Sequence, residues 1–193
     1  MKRLFLLLFI FIYSQNTFSQ NVSNKLIKEY EDTLKVIAEQ IMFAKKESDR
    51  VKANNGFIPI LKEVLSFEKS FKYPFDSLET LSILSPDDKS FRIFNWILRK
   101  DNGTYDYFCF VHYNNKKKKK FEVIELTDNS NNIRNESYSD LDSKNWYGCL
   151  YYKIIYIKKS GRKYYTLLGW DGNDGRSIKK IIEPMYNKSN ASV

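Results

Sequence analysis

The sequence predicts an α+β protein in which an N-terminal helical hairpin precedes an antiparallel, meander-like β-sheet. Two observations indicate this class. Before Pro74 the apolar residues recur at the spacing of amphipathic helices, whereas beyond it short runs of aromatic and β-branched residues alternate with polar turns. The turns are short, which favours antiparallel pairing of successive strands. Helices followed by a run of strands define the α+β class.

The first residues have the composition of a secretory signal peptide. A basic start precedes an apolar run at residues 4–13, and small residues stand at Thr17 and Ser19. The run is shorter than the ~20 residues that a membrane-spanning helix needs. We therefore predict that residues 1–19 are a signal peptide cleaved just before Gln20, and that the mature chain is periplasmic or secreted with no transmembrane segment. A retained membrane anchor is the alternative.

Charge sets the expected partners only broadly. The formal net charge is +9, and signal cleavage would remove Lys2 and Arg3 from that balance. The remaining chain has the length of one domain. A basic chain favours anionic partners, but the basic residues are spread along the sequence with acids between them. We therefore expect no functional basic patch, with binding of an anionic partner as the alternative, and nucleic acid is not a favoured partner.

Residues 20–74 are predicted to form the helical segment. A long amphipathic helix is expected from residue 23 to about residue 53, with Ser23 or Asn24 as its cap and residues 54–56, Asn-Asn-Gly, at its end. A shorter helix follows, with Pro59 near its first turn and its end at residues 73–74. Core packing is the expected role of the long helix, and partner binding is the alternative.

Residues 75–186 are predicted to be antiparallel β-structure within the same domain. Turn residues separate the strands, as in Asp101-Asn102-Gly103, and the final residues 187–193 are polar and predicted to be a disordered tail. The expected strands cover residues 78–84, 91–99, 105–113, 121–126, 146–158, 162–170 and 177–183.

The longest strands form a hairpin at residues 145–170 that turns at residues 159–162, where Gly161 supplies a permissive backbone. Simple alternation puts Tyr152, Ile154 and Tyr156 on one face of the first arm. Because neither face is cleanly polar, we predict a central strand covered on both sides. The predicted core residues are Trp96, Leu150, Tyr152, Ile154, Tyr165, Leu167 and Leu168.

Three stretches carry a resemblance to known proteins: SPDDKSFRIFNW, WYGCLYYKII and YYTLLGWDGN. In combination they resemble an uncharacterised family of exported proteins from Bacteroidota, over about residues 78–186. The resemblance implies export and supports the strand prediction. It carries no activity, ligand or catalytic residue to this chain.

The cysteines and the single histidine suggest chemistry that their positions do not support. His112 lies three residues after Cys109 in a predicted strand, so the two side chains point to opposite faces, and no helix N-terminus is predicted near either thiol. We therefore interpret His112 as structural. In an exported chain Cys109 and Cys149 could form a disulfide or remain as two buried thiols, and the sequence leaves both open.

No metal, cofactor or catalytic centre is predicted. The loop Asp171-Gly172-Asn173-Asp174-Gly175 resembles a calcium loop only superficially, because Ile182 stands where an EF-hand has its closing Glu. A tight turn explains it better. An enzyme of hydrolase type, with acidic residues that converge only in the fold, is the alternative function.

The leading prediction is an exported, non-catalytic binding or interaction module for a glycan or peptide. Tyrosine and tryptophan combine a flat apolar ring with a polar tip, and the chain has 14 Tyr and 3 Trp. The predicted binding residues are Trp146, Tyr151 and Trp170 at the hairpin. The run from Lys116 to Lys120 is expected to be a solvated hairpin tip, with binding of an anionic polymer as the alternative.

Overall fold

The computed structural model describes residues 23–115, 117–135 and 139–186. The predicted signal peptide and the predicted tail lie outside these residues. No helix within the described ranges combines the length and the apolar character that crossing a bilayer requires. The helices are α1 (Asn24–Phe43) and α2 (Glu47–Ser66), followed by a 3-10 turn at Glu68–Phe71 and another at Ser130–Asn132.

The strands form two antiparallel sheets, so the α+β class is confirmed while the single sheet is replaced by a pair. The first sheet has the order β1-β2-β3-β4 and the second the order β5-β6-β7. The strands are β1 (Ser82–Leu84), β2 (Phe91–Arg99), β3 (Tyr105–Asn115), β4 (Lys120–Leu126), β5 (Leu150–Lys159), β6 (Arg162–Asp171) and β7 (Lys179–Met185).

Helix α1 begins as predicted, because the Ser23 hydroxyl accepts a hydrogen bond from the Leu26 N–H at 3.2 Å. It ends at Phe43, and the predicted continuation to residue 53 is wrong. The break is held by buried Arg50, which donates to the carbonyl oxygens of Ala44 and Lys45 at 2.8 and 3.0 Å. A contact made from the next helix fixes this turn, so the periodicity of the preceding residues did not reveal it.

Helix α2 runs through the expected Asn-Asn-Gly stop and contains Pro59 in its interior, contrary to both predictions. An interior proline lacks the N–H that would bond the carbonyl four residues back. Packing offsets that loss, since Phe57 and Leu61 are fully buried on either side of the proline. Asn54 is likewise held inside the helix, where its Oδ1 accepts from the Trp96 indole N–H at 2.8 Å.

The chain folds into three layers: the two helices, the first sheet and the second sheet. One core lies between the helices and the first sheet, and a second core lies between the two sheets. Strand β2 contributes to both, with Phe94 and Trp96 facing the helices and Ile93 facing the second sheet. Strand β3 does the same, with Phe110 facing the helices and Cys109 the second sheet, so the strands covered on both sides are β2 and β3. The prediction that β5 is central is wrong, because β5 is an edge of the second sheet.

The hairpin between β5 and β6 turns as predicted. Ser160 and Gly161 form a two-residue loop with φ of 50° and 77°, as a type I′ turn requires, and a glycine accepts this backbone without steric cost.

Further along, β5 contains a bulge. Tyr151 pairs with Gly169 and Lys153 with Leu168, so Tyr152 is an extra residue on the β5 side. The bulge shifts the alternation by one residue and puts Tyr152, predicted to be in the core, on the exposed side. Trp96 and Leu167 are buried as predicted, while the half-buried members of the predicted core are Leu150, Ile154, Tyr165 and Leu168.

Candidate binding face

Two of the three predicted binding residues are inside the protein. Tyr151 is fully buried and Trp146 is 2% exposed, so neither ring can stack on a ligand. The Tyr151 N–H donates to the Oδ1 of Asn95 at 2.5 Å, which ties β5 to the first sheet. The prediction that Trp146 and Tyr151 present their rings on the surface is therefore contradicted, because both serve the core between the sheets.

These two residues belong to a buried polar chain that ends on a carboxylate. The Trp146 indole N–H donates to the Tyr151 hydroxyl at 2.7 Å, and that hydroxyl donates to Glu183 of β7. Burial raises the pKa of Glu183 above its ordinary value, whereas the hydrogen bond from Tyr151 lowers it. Burial raises the Tyr151 pKa well above 10. The arrangement satisfies buried polar groups and joins the hairpin to β7.

Trp170, the third predicted residue, is half-buried near the end of β6. Its ring meets Tyr105 of the first sheet edge-on, with centroids 5.3 Å apart. The tryptophan therefore closes one end of the core between the sheets and leaves part of its surface outside. The three predicted residues do not form a common exposed platform.

The exposed aromatic and aliphatic residues of the hairpin lie instead on the side of the second sheet that faces away from the first. We call this side the outer face. Strand pairing puts Ile155 beside Thr166 and Ile157 beside Tyr164. Leu168 pairs with Ile182 on β7. The large side chains exposed on this face are Tyr152, Ile155, Ile157, Tyr164 and Ile182, with exposures from 37% to 74%.

Cations flank this apolar surface at both ends. Lys153 pairs with Leu168, and the Lys180 Nζ lies 5.2 Å from the centroid of the Tyr152 ring. At the other end Lys159 pairs with Arg162 beside the turn. None of these four cations forms an ion pair with a described carboxylate. The strand residues of the outer face include no Asp or Glu, since Glu183 and Asp171 alternate to the inner side.

Sequence reasoning missed this face because it predicted β5 to be a regular strand covered on both sides, whereas β5 is an irregular edge strand. The run KIIYIKK in the second half of β5 signals an apolar and basic strand, but alternation alone assigns its faces correctly only if the strand is regular. The extra residue at Tyr152 breaks that condition. Without the bulge, Ile155 and Ile157 would share the core side with Tyr151.

The lysine-rich tip between β3 and β4 is partly neutralised by its own neighbour. Lys118 and Lys120 lie 3.0 and 3.2 Å from the Glu122 carboxylate. Hydrogen bonds from Asn115, Tyr113 and Lys118 lower the pKa of Glu122 to about 2. Lys116 lies outside the described residues. The solvated tip agrees with the exposure of residues 117–120, while anionic polymer binding there stays a prediction.

His112 and the cysteines have structural surroundings. His112 is fully buried, and neither ring nitrogen has a hydrogen-bond partner among the described residues. Cys109 faces the core between the sheets, on the opposite side of β3, so the predicted separation of the two is confirmed. Both Cys109 and Cys149 are free thiols, and burial raises the pKa of each. A buried, protonated thiol is a poor nucleophile.

The hydrolase alternative would need acidic residues that converge in the fold. No cluster of three or more His, Cys, Asp or Glu suitable for a metal occurs in the described part of the chain. A surface hollow of about 270 Å³ includes Glu39 and Glu79, and both side chains are exposed to solvent. The hydrolase alternative stays a prediction.

Known proteins supply no further assignment for this face. Comparison of the chain with protein-family models, with curated proteins and with solved structures found no match in any of the three. The interpretation of the site therefore depends on its own geometry and chemistry.

Proposed function

We propose that the chain is an exported, non-catalytic binding or interaction module whose contact surface is the outer face of the second sheet. The observation that carries the proposal is the grouping of five exposed apolar or aromatic side chains on one side of three neighbouring strands. Contiguous apolar patches on a protein surface mark interaction sites, whereas single exposed apolar residues are ordinary.

The proposed ligand is an extended glycan or a peptide segment. Tyr152 and Tyr164 expose rings that could pack on either. The face also carries three isoleucines, and its strand residues include no carboxylate or carboxamide that would bond sugar hydroxyls. This composition supports a peptide over a neutral glycan, because apolar side chains at the centre of an interface bind other apolar groups.

Export is supported by the composition of residues 1–19 alone. Membership of the Bacteroidota family likewise stays a prediction.

The measurement for export is intact-mass analysis of protein recovered from the periplasm or medium. A mature chain that begins at Gln20 is expected, and recovery of Met1 would contradict the proposal.

Binding is tested with glycan and peptide arrays and a triple variant, Ile157→Thr, Tyr164→Thr, Ile182→Thr. Threonine keeps a β-branched side chain suited to a strand while removing most of the apolar surface. The matched control is Val36→Thr with Phe43→Ala, which removes exposed apolar groups from α1.

We expect the wild-type chain and the α1 control to bind the same array members and the triple variant to lose them. Circular dichroism and thermal unfolding first establish that each variant folds. An array without ligands, or equal binding by the triple variant, would contradict the proposed function.

A further inference from the structure

The two sheets differ in how their faces are covered. The first sheet has the helices on one side and the second sheet on the other. The second sheet has the first sheet on its inner side, and its outer face carries exposed isoleucine and tyrosine side chains. Apolar sheet faces are ordinarily buried against another layer of secondary structure. The outer face therefore resembles a sheet face against which another layer of structure normally packs.

We infer that the outer face binds an acidic amphipathic helix of a partner protein. This inference rests on the proposed function and names the partner class for the same site. The helix would lie along the strands with its apolar stripe on Ile155, Ile157 and Ile182. Its carboxylates would meet Lys153 and the other flanking cations.

The dimensions of the face suit one helix. Three strands at a spacing of about 4.8 Å put the outer strands about 10 Å apart. A helix with its side chains is about 10–12 Å in diameter. Along β5 the six residue steps from Lys153 to Lys159 extend about 20 Å. A helix of about 13–15 residues covers that length at 1.5 Å per residue.

The charges favour an acidic partner and oppose a second copy of the chain. In an isologous dimer each copy would bring the same cations to the interface, and the outer-face strand residues have no carboxylate to pair with them. An acidic helix places opposite charge at both ends of the apolar stripe. Such pairing at the rim of an interface speeds association and suppresses wrong partners.

The edges of the second sheet favour recognition by its face over addition of an extended strand. Strand addition needs a row of free backbone donors and acceptors. Pro184 removes a donor from β7, and Lys179 and Lys180 place charges on the same edge strand. On the other edge, the Ser82 hydroxyl of β1 donates to the Tyr151 carbonyl oxygen at 2.5 Å. A peptide that uses side-chain contacts on the face avoids both obstacles.

The test is a selection of phage-displayed random peptides of about 15 residues on the full chain. Counter-selection on the triple outer-face variant removes peptides that bind elsewhere on the protein. We expect recovered peptides to carry Asp or Glu toward both ends and apolar residues at helical spacing. Recovery of neutral or basic peptides, or of peptides with two-residue alternation, would overturn the inference, as would no enrichment at all.

A charge exchange then tests the pairing directly with one recovered peptide. Lys159→Glu with Arg162→Glu should weaken binding about ten-fold or more, and a peptide with lysines at the facing end should restore it. Lys45→Glu with Lys52→Glu, at exposed positions in the turn after α1 and on α2, is the matched control and should change little. Equal weakening by both pairs would overturn the inference.

The triple outer-face variant also distinguishes an acidic helix from other ligands of the outer face. Binding to phosphatidylglycerol vesicles that depends on the outer face, without binding of acidic peptides, would replace the helix by a lipid surface. Face-dependent binding of a glycan or a neutral peptide on the arrays would leave the proposed function in place and overturn the acidic helix. Absence of any face-dependent ligand would contradict both.

Discussion

Buried His112 makes the stability of the protein depend on pH in a way that one substitution can isolate. The imidazole lies among Phe71, Phe94 and Phe121, and Arg92 is its cross-strand neighbour on β2. Burial, and then the charge of Arg92, lower the pKa of His112 to about 4 from the ordinary 6.5. Arg92 is itself fixed, since its guanidinium donates to the Tyr73 carbonyl oxygen at 2.6 Å.

The direction of the effect follows from proton binding. Between pH 6.5 and pH 4 the unfolded chain protonates this histidine while the folded chain keeps it neutral, so the free energy of unfolding falls as the pH falls. A lowering from 6.5 to about 4 corresponds to a loss of about 3 kcal/mol by pH 4. That is a large share of the 5–15 kcal/mol by which domains are usually stable.

The assay is urea unfolding by tryptophan fluorescence at several pH values from 7 to 4, on the wild type and on His112→Leu. Leucine cannot titrate, and it replaces an imidazole whose nitrogens have no described partner, so we expect it to be neutral or stabilising at pH 7. The difference between the proteins should change by about 3 kcal/mol in favour of the variant as the pH falls.

Two features make this result decisive. His112 is the only histidine in the chain, and carboxylates such as Asp88 titrate in both proteins and cancel in the difference. His112→Gln is the second variant, which keeps a polar side chain but cannot titrate in this range. Parallel pH profiles for wild type and both variants would refute the reasoning.

Three further outcomes are expected from the core between the sheets. Tyr151→Phe leaves the Glu183 carboxylate without its hydroxyl donor and should cost about 1–3 kcal/mol in chemical unfolding, whereas no loss would contradict the buried polar chain. Gly169→Ala would put a Cβ 2.6 Å from the Cys149 Sγ and should lower the free energy of unfolding by about 1–3 kcal/mol. Adding Cys149→Ala should recover part of that loss, because it removes the sulfur atom. Additive effects of the two substitutions would contradict the close contact. Cys109 and Cys149 should react with a thiol reagent only after unfolding, and detection of a disulfide by mass would contradict the free thiols.

Local sequence patterns predicted much of the fold because they act within one element. The Ser23 cap, the glycine of the hairpin turn and the aromatic strand runs each depend on backbone geometry over a few residues. The division into an N-terminal helical part and a C-terminal antiparallel part followed from the change in apolar spacing. These features carry their physical cause in neighbouring residues, so the sequence alone determined them.

The helix boundaries depended on contacts from elsewhere in the chain. Arg50 holds the break after α1 and also donates to the Arg99 carbonyl oxygen at 2.7 Å, forty-nine positions away. Pro59 is accepted in α2 because the buried residues around it pack on the first sheet and on α1. Neither contact leaves a periodic signal in the sequence. Local rules therefore placed the end of α1 and the start of α2 wrongly.

The candidate binding face was decided by tertiary structure. The aromatic content of the hairpin correctly suggested long strands, but it could not distinguish buried Tyr151 from exposed Tyr152. One extra residue in β5 reversed the alternation for the rest of the strand and turned Ile155 and Ile157 outward. The sequence by itself determined which residues are apolar and where strands form. The pairing of β5 with β6, and the contact of the second sheet with the first on one side only, decided which of those residues face the solvent.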